Sequence, residues 1–588
     1  MERNQKSLAV VILMLIFTVW FLHNTKLDFH LIFQKDLLAQ DESSNSVVEA
    51  NITRKFFPPM VRVNPLNEQQ GNWMEGPYWQ HIPPLFAYVP YLFFKLDGQV
   101  TIEVKRLSYA FVVLLTGFLF IWSIYRFKKS LLAAGAAALA AFFWISTPFT
   151  QELITGYAFG VSDIVLAFTA VCGFSAVLWY LEREREERIN YPFWKLAAIG
   201  LIVALPIMAK NILGAIPGAA FFGLLLWDRK MIDKKVLAAA GSFLVFLALY
   251  FLPLYFASPQ TFKIEFLVSF LHFKQLEGWG RPWHWYVTNY LPQRYLGRWT
   301  WVYYLGLMLG VILNYKFEII DRKDRILLWL SGGWFIWNLV AISLVTSKVP
   351  NFIYQSYLFS LFFVIYAILA FARRAATRQS ALGRIEGAPQ FRLPRLASEA
   401  RRFVNKAIVA GLILSMLATA YESVRFIQQF KVQRAQAYDY QTEHEKFYQT
   451  AEELRTMGLN TKDLIIVRVS DNDCWFRYYP LFLTGTESKT LLEMNFGYDP
   501  DAIKQQYSRM FFVENKSEPD FNENRRIELA DYSLLEFDLG QLNPGQIKAL
   551  VDSFVSFHAQ DIQQDILRIK KDKTSCQWLV PDPILNAP

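Results

Sequence analysis

Asp41 and Glu42 follow the first apolar run of the chain and open a long polar loop that ends at His81-Ile82-Pro83-Pro84-Leu85. A carboxylate held at a membrane surface is placed to take a proton from an acceptor hydroxyl, although adjacent acids are equally at home as solvated loop charges. Asp163 opens a later apolar run in Gly160-Val161-Ser162-Asp163-Ile164. It reads either as a helix-start charge favoured by the dipole or as an acid at the edge of a span that needs a partner. From Ala197 to Trp227 the only strongly polar residues are Lys210-Asn211. That stretch is too long for one span at about 1.5 Å per residue across roughly 30 Å, so it must be a hairpin with Lys210 at its outer turn. There the ammonium either snorkels to the interface or neutralises an anion such as a lipid phosphate.

His81, Arg281, His284, Arg294 and Lys348 add cationic groups on loops of the same side, interleaved with aromatics in Arg281-Pro282-Trp283-His284-Trp285-Tyr286. Singly each serves as a turn residue or headgroup anchor. Together with a carboxylate pair, Asp41 and Asp163, they make a site suited to moving a sugar off a polyprenyl phosphate. A phosphate leaves without being protonated, so cations must stabilise it, and one carboxylate suffices as base. Direct displacement inverts the anomeric centre. No Gly-rich phosphate loop, HExxH or Cys-rich metal pattern occurs where it could work. A nucleotide-sugar enzyme of the cytoplasmic kind is therefore not expected; no cofactor is assigned, and a divalent cation stays open.

These groups need apolar elements to position them. Of 588 residues 53% are hydrophobic and 16% aromatic, and the apolar runs recur from Leu8 to about Ala420, whereas the remainder is polar. Expected spans run over 7–23, 107–124, 131–147, 164–181, 195–209, 211–227, 236–256, 299–315, 325–345, 356–372 and 405–422, about eleven helices. The net charge of +9 would suggest nucleic acid in a soluble protein. Here Arg126/Lys128/Lys129, Arg183/Arg185/Arg188, Arg229/Lys230/Lys234/Lys235 and Arg322/Lys323/Arg325 fall in alternate loops, as positive-inside topology requires. The N-terminus is then cytoplasmic and the C-terminal part extracytoplasmic. The bulky Trp20-Phe21-Leu22-His23 offers no small-x-small cleavage site, so the first span reads as an uncleaved anchor rather than a signal peptide.

The chain divides into a transmembrane part, 1–424, with its first outer loop at 24–104, and a C-terminal outer domain, 425–588. Ser43–Phe57 reads as a short helix, and Asn51-Ile52-Thr53 within it matches a glycosylation sequon. The outer domain reads as α/β or α+β. Helices are expected at 442–457 and 544–557, the second after Asn543-Pro544, with strands at 464–469, 510–513 and 534–537. Cys172 lies in a span, while Cys474 and Cys576 both lie in the outer domain, where a disulfide is permitted.

Asp41-Glu42, Pro83-Pro84-Leu85, Arg106-Leu107, Asp163, Lys210, Arg281-Pro282 through Tyr286, and Ser347-Lys348 through Tyr354 together resemble, over about 1–372, the membrane glycosyltransferases that use polyprenyl-phosphate sugars. That family covers the dolichyl-phosphate-mannose protein mannosyltransferases and the bacterial aminoarabinose transferases of lipid A. The resemblance implies a polytopic α-helical, GT-C-like bundle in the plasma (inner) membrane. It implies Asp41 as catalytic base, Asp163 as second essential acid, and Lys210 and Lys348 as phosphate ligands. A polyprenyl-phosphate sugar would be the donor, and a protein or glycolipid the acceptor. Family members often carry Glu-Lys before Pro-Pro-Leu and Gly-Pro after the lysine of the hairpin; here His81-Ile82 and Asn211-Ile212 stand there. The rival readings are a transferase using a lipid-diphosphate oligosaccharide and a flippase for lipid-linked sugars. A flippase is expected to show broken polar segments at mid-bilayer and paired repeats, neither of which the sequence has.

Overall fold

The structure is a computed structural model describing residues 2–32, 40–63, 78, 83–154, 161–229, 233–263, 265, 280–296, 300–315, 321–346, 348–382, 448–467, 478–515, 523–529 and 532–572. In chain order the helices are α1 (Glu2–Ile32), α2 (Gln40–Asn51), α3 (Tyr88–Asp97), α4 (Ile102–Lys128), α5 (Leu131–Ile145), α6 (Pro148–Ile154) and α7 (Val161–Leu181). They continue with α8 (Arg185–Ile189), α9 (Phe193–Lys210), α10 (Ile216–Arg229), α11 (Lys234–Ala257), α12 (Thr300–Tyr315), α13 (Arg322–Leu344) and α14 (Tyr354–Leu382). Each of the first ten expected spans coincides with one of these helices. The eleventh, 405–422, lies outside the described residues, as do Cys474, Cys576 and His81.

Among the described residues, six helical stretches are long and apolar enough to cross a bilayer: Ile102–Lys128, Ser162–Leu181, Phe193–Lys210, Lys234–Ala257, Arg322–Leu344 and Asn351–Ala370. The chain is an integral membrane protein. It divides into two compact units, the first made of Met1–Ile32, Tyr109–Phe251 and Leu267–Gln433, the second of Phe33–Ser108, Leu252–Phe266 and Arg434–Pro588.

In the first unit, α7 and the apolar part of α14 are 78% and 83% buried, against 17% for α11. The former pair is therefore the centre of the bundle, and α11 has apolar surface left for lipid. Phe174, Trp334 and Phe359 meet there, Phe359 lying 4.9 Å and 5.0 Å from the other two ring centres. The hairpin expected around Lys210 is present. Helix α9 stops at Lys210, five residues (Asn211–Ala215) form a 3-10 turn, and α10 returns. Pro206 lies within α9, and a Cβ at Gly214 would stand 2.0 Å from the Pro206 carbonyl oxygen, so the turn closes only on glycine.

The basic loops gather at the opposite end of this unit. The buried Asp228, at the end of α10, accepts from Arg188 through both oxygens at 2.7 and 2.6 Å and from the Tyr180 hydroxyl at 2.9 Å. Lys128, ending α4, pairs with Asp321 and Asp324 at the start of α13. Arg322 pairs with Glu184 and Arg229 with Asp233. These ion pairs tie the ends of α4, α7, α10 and α13 together. Asp228→Ala leaves the Arg188 guanidinium buried without its anion. It is expected to cost about 3–5 kcal/mol of stability, read as a lowered thermal unfolding midpoint of the detergent-purified protein.

The second unit holds a five-stranded sheet in the order β2-β1-β3-β5-β4. Its strands are β1 (Asp463–Val467), β2 (Glu487–Thr490), β3 (Arg509–Asn515), β4 (Arg525–Glu528) and β5 (Tyr532–Asp538). β1 runs parallel to β2 and β3, while β5 is antiparallel to β3 and β4. The helices are α15 (448–456), α16 (Tyr478–Leu483), α17 (Leu491–Asn495), α18 (Pro500–Gln506), α19 (Pro544–Phe557) and α20 (Ala559–Asp572). α19 spans the expected residues, because Asn543 and Gln546 cap it reciprocally and Pro544 takes its first position.

In the second unit the sequence reading missed β2, β4, α16, α17, α18 and α20 and misplaced α2. That helix begins at Gln40, so it includes Asp41 and Glu42 in its first turn, where acids favour the dipole. It ends at Asn51 rather than Phe57. Pro58-Pro59 cannot continue a helix, and the Asn51 amide instead donates to the carbonyls of Met60 (3.3 Å) and Val61 (2.8 Å). The sequon asparagine is fully buried in this role.

Candidate functional site

In the first unit, the ends of α7, α9, α13 and α14 away from the basic loops bring Asp163, Lys210 and Asn351 together. Asp163, in the first turn of α7, is fully buried. Lys210 donates to its two oxygens at 2.6 and 2.7 Å, and Asn351 donates to Oδ2 at 2.6 Å. The Lys210 side chain keeps 12% of its surface exposed, whereas that of Asp163 keeps none. The ammonium is thus the accessible member of the pair. Lys210 is the last residue of α9, and its ammonium lies 5.5 Å from the Phe352 ring centre.

Below this pair runs a polar string that the sequence reading did not single out. Gln355 Nε2 donates to the Leu213 carbonyl (2.9 Å) in the 3-10 turn after Lys210 and to Asn338 Oδ1 (3.2 Å). Asn338 donates to Ser356 Oγ at 2.8 Å and to the Phe352 carbonyl at 3.1 Å. The Leu213 carbonyl lies where the helix has broken, and Gln355 supplies it with a donor. The available signal was a carboxamide within the apolar stretch of each helix, Asn338 in α13 and Gln355 in α14.

Two of the expected outer loops meet here. The main-chain amide of Arg281 donates to the Thr346 carbonyl at 3.2 Å. Tyr286 and Tyr290, on a π-helical segment (Tyr286–Leu296), donate to the carbonyls of Val349 (3.1 Å) and Lys348 (2.7 Å). Tyr286 is buried, so its ring is part of the packing under this loop. Arg281 and His284 are exposed, Arg281 against the Trp285 ring at 5.5 Å and His284 beside Thr288 Oγ1 at 3.2 Å.

Lys348 is buried, and its ammonium donates to the carbonyls of Ile342 (3.3 Å), Ser343 (3.0 Å) and Val345 at the end of α13. Burial lowers its affinity for a proton. Its donors close a helix end, so binding a phosphate would require them to exchange. Tyr354 is buried with its ring stacked on Trp144 at 5.2 Å. Asp41 and Glu42 belong to the second unit, and their side chains, like that of Arg294, lie outside the described residues. Among the described residues no group of three His, Cys, Asp or Glu side chains could hold a metal ion.

No protein-family model matches the chain, and no curated protein matches it in sequence. Among solved structures it is similar to ArnT from Cupriavidus metallidurans bound to undecaprenyl phosphate, at 13% identity and a TM-score of 0.55 over 90% of this chain and 97% of that one. The same protein in the apo state gives 13% identity and 0.52 over 91% and 99%. The archaeal oligosaccharyltransferase AglB from Archaeoglobus fulgidus, in complex with an inhibitory peptide and a dolichol-phosphate, gives 12% identity and 0.46 over 87% and 70%. At such identities a likeness is one of fold. The ArnT match takes in nine-tenths of this chain, so the two chains share a fold.

Proposed function

We propose that this protein is a membrane glycosyltransferase that moves a sugar from a polyprenyl-phosphate carrier to a protein or glycolipid acceptor. The observation that carries the reading is the Asp163–Lys210–Asn351 cluster. It offers one accessible ammonium, fixed by a buried carboxylate that the Asn351 amide holds in turn, at the non-basic end of an apolar bundle. A phosphodiester on a lipid tail suits such a cation, which is pre-oriented and screened from bulk water. The likeness in fold to a protein solved with undecaprenyl phosphate adds support.

In this reading Lys210 binds the carrier phosphate, and Asp163 is a positioning residue rather than a proton acceptor, because both its oxygens are engaged. Asp41 is the base, with Glu42 beside it. The base takes the acceptor's hydroxyl proton, the acceptor oxygen bonds to the anomeric carbon from the face opposite the phosphate, and the bond from that carbon to the phosphate oxygen breaks. Its electron pair stays on the phosphate as Lys210 balances the charge, and the sugar configuration inverts. The exposed Arg281, His284 and Trp283 are at hand for headgroups or the acceptor. Orientation follows from charge. The end bearing Lys128, Arg188 and Arg229 is cytoplasmic, and the Lys210 end and the C-terminal domain are extracytoplasmic, in the plasma (inner) membrane.

The test is to reconstitute the purified protein in vesicles with a radiolabelled polyprenyl-phosphate sugar. Label recovered covalently on an acceptor, with free polyprenyl phosphate released in equal amount, is the expected result. Label that crosses the bilayer still attached to its carrier would make the protein a flippase instead.

A further inference from the structure

In the second unit, helix α2 is gripped from two directions. Residues 45–51 of α2 are buried. On one side Lys105, in the first turns of α4, donates to Ser46 Oγ at 2.6 Å and lies 3.7 Å from the Glu49 carboxylate. On the other side stands the C-terminal sheet domain. Arg54, in the turn that closes α2, donates to Asn51 Oδ1 at 2.6 Å and reaches the carbonyls of Leu481 (3.2 Å) and Phe482 (3.0 Å) in α16. Gly485 follows in a left-handed conformation at φ 74°, and a Cβ there would stand 2.8 Å from Arg54 Nε, so only glycine admits the guanidinium. Arg62 pairs with Glu487 on edge strand β2 at 2.8 Å, each side chain 1% exposed. The Asn51 amide, bonded to the Met60 and Val61 carbonyls, ties the Arg54 and Arg62 arms into one piece.

An edge strand reading Glu487-Ser488-Lys489-Thr490 is too polar to be buried for its own sake, yet all four residues are buried. Arg62, on the segment that follows α2, covers it at Glu487, and Lys489 pairs with Glu493 at 3.1 Å. A helix end fixed by charge-assisted bonds to main-chain carbonyls and by a buried ion pair is held in both position and rotation.

We propose that the C-terminal sheet domain is a positioning element of the transfer reaction: through Arg54 and the Arg62–Glu487 pair it sets the orientation of α2 and so of the carboxylates in its first turn. This rests on Asp41 being the base. A domain that only selected the acceptor would act on the acceptor KM, whereas one that aims the base acts on kcat.

The experiment uses the purified full-length protein with Glu487→Gln, Arg54→Gln and Glu487→Asp, titrating donor and acceptor separately and checking folding by thermal unfolding. Expected are a kcat lower by about tenfold to a hundredfold in the first two, both KM values within about twofold of wild type, and Glu487→Asp in between because it keeps the anion. Amide hydrogen exchange over 43–51 is expected to quicken in Glu487→Gln. Wild-type kcat in the folded variants, or a change confined to the acceptor KM, overturns the proposal. Should Glu487→Gln fail to fold, kcat in Glu487→Asp decides in the same way. If Asp41→Asn is inactive while Glu487→Gln turns over normally, the positioning role alone falls. An active Asp41→Asn instead removes the premise.

Discussion

Asp41→Asn is expected to lower kcat for sugar transfer by about two to four orders of magnitude, the usual contribution of a positioned general base, with the donor KM near its wild-type value. The asparagine has the same shape and no basic oxygen, so binding geometry survives and only proton removal is lost. Glu42→Gln supplies the control. Both residues lie on helical backbone in the first turn of α2, and neighbours on a helix project about 100° apart, so one point in space is served by one of them. Glu42→Gln is therefore expected to stay within a few-fold of wild type. Both rates are measured at saturating donor with a labelled acceptor product. Full activity in Asp41→Asn sinks the base assignment, and loss confined to Glu42→Gln moves it one residue along.

The helical spans were legible because the bilayer imposes length and apolarity on each segment separately, so each declares itself without its partners. Lys210 was legible for the same reason: a lone charge within a stretch too long for one span has to mark the turn. Its bond to Asp163 joins residues 47 positions apart and adds the ion pair the sequence had only suggested. The partners of Asn351 and Gln355 were not legible, since an amide carries no sign of which carbonyl or carboxylate it will meet. β2 was illegible for a further reason. Its four polar residues lack the alternation of a strand, and what buries them includes Arg62, 425 positions away in the chain. The affiliation of α2 with the C-terminal domain is likewise a long-range fact. Local pattern gave the helix within a few residues, whereas only tertiary contacts reveal what it is held by.

Lys210→Ala is expected to weaken donor binding by roughly ten- to a hundredfold, since a hydrogen bond to a charged group contributes about 1.5–3 kcal/mol. The single variant mixes two effects. It also strands Asp163, fully buried and left with Asn351 as its one remaining hydrogen-bond donor named above, and removing one partner of such a pair costs about 3–5 kcal/mol of stability. The double variant Asp163→Asn/Lys210→Met separates them. It removes both charges while keeping the volume of both side chains, an exchange that is close to neutral for folding. Its unfolding midpoint is expected to recover toward wild type while its affinity for polyprenyl phosphate stays as low as that of Lys210→Ala. Equilibrium binding of the carrier lipid alone, without sugar or acceptor, reads this directly and is independent of the base. Wild-type affinity in the double variant would reduce Lys210 to a structural counter-ion for Asp163. Recovered stability with lost affinity would instead give the ion pair its reason. In that outcome the carboxylate would be buried so that the ammonium is held, already oriented, where the lipid phosphate arrives.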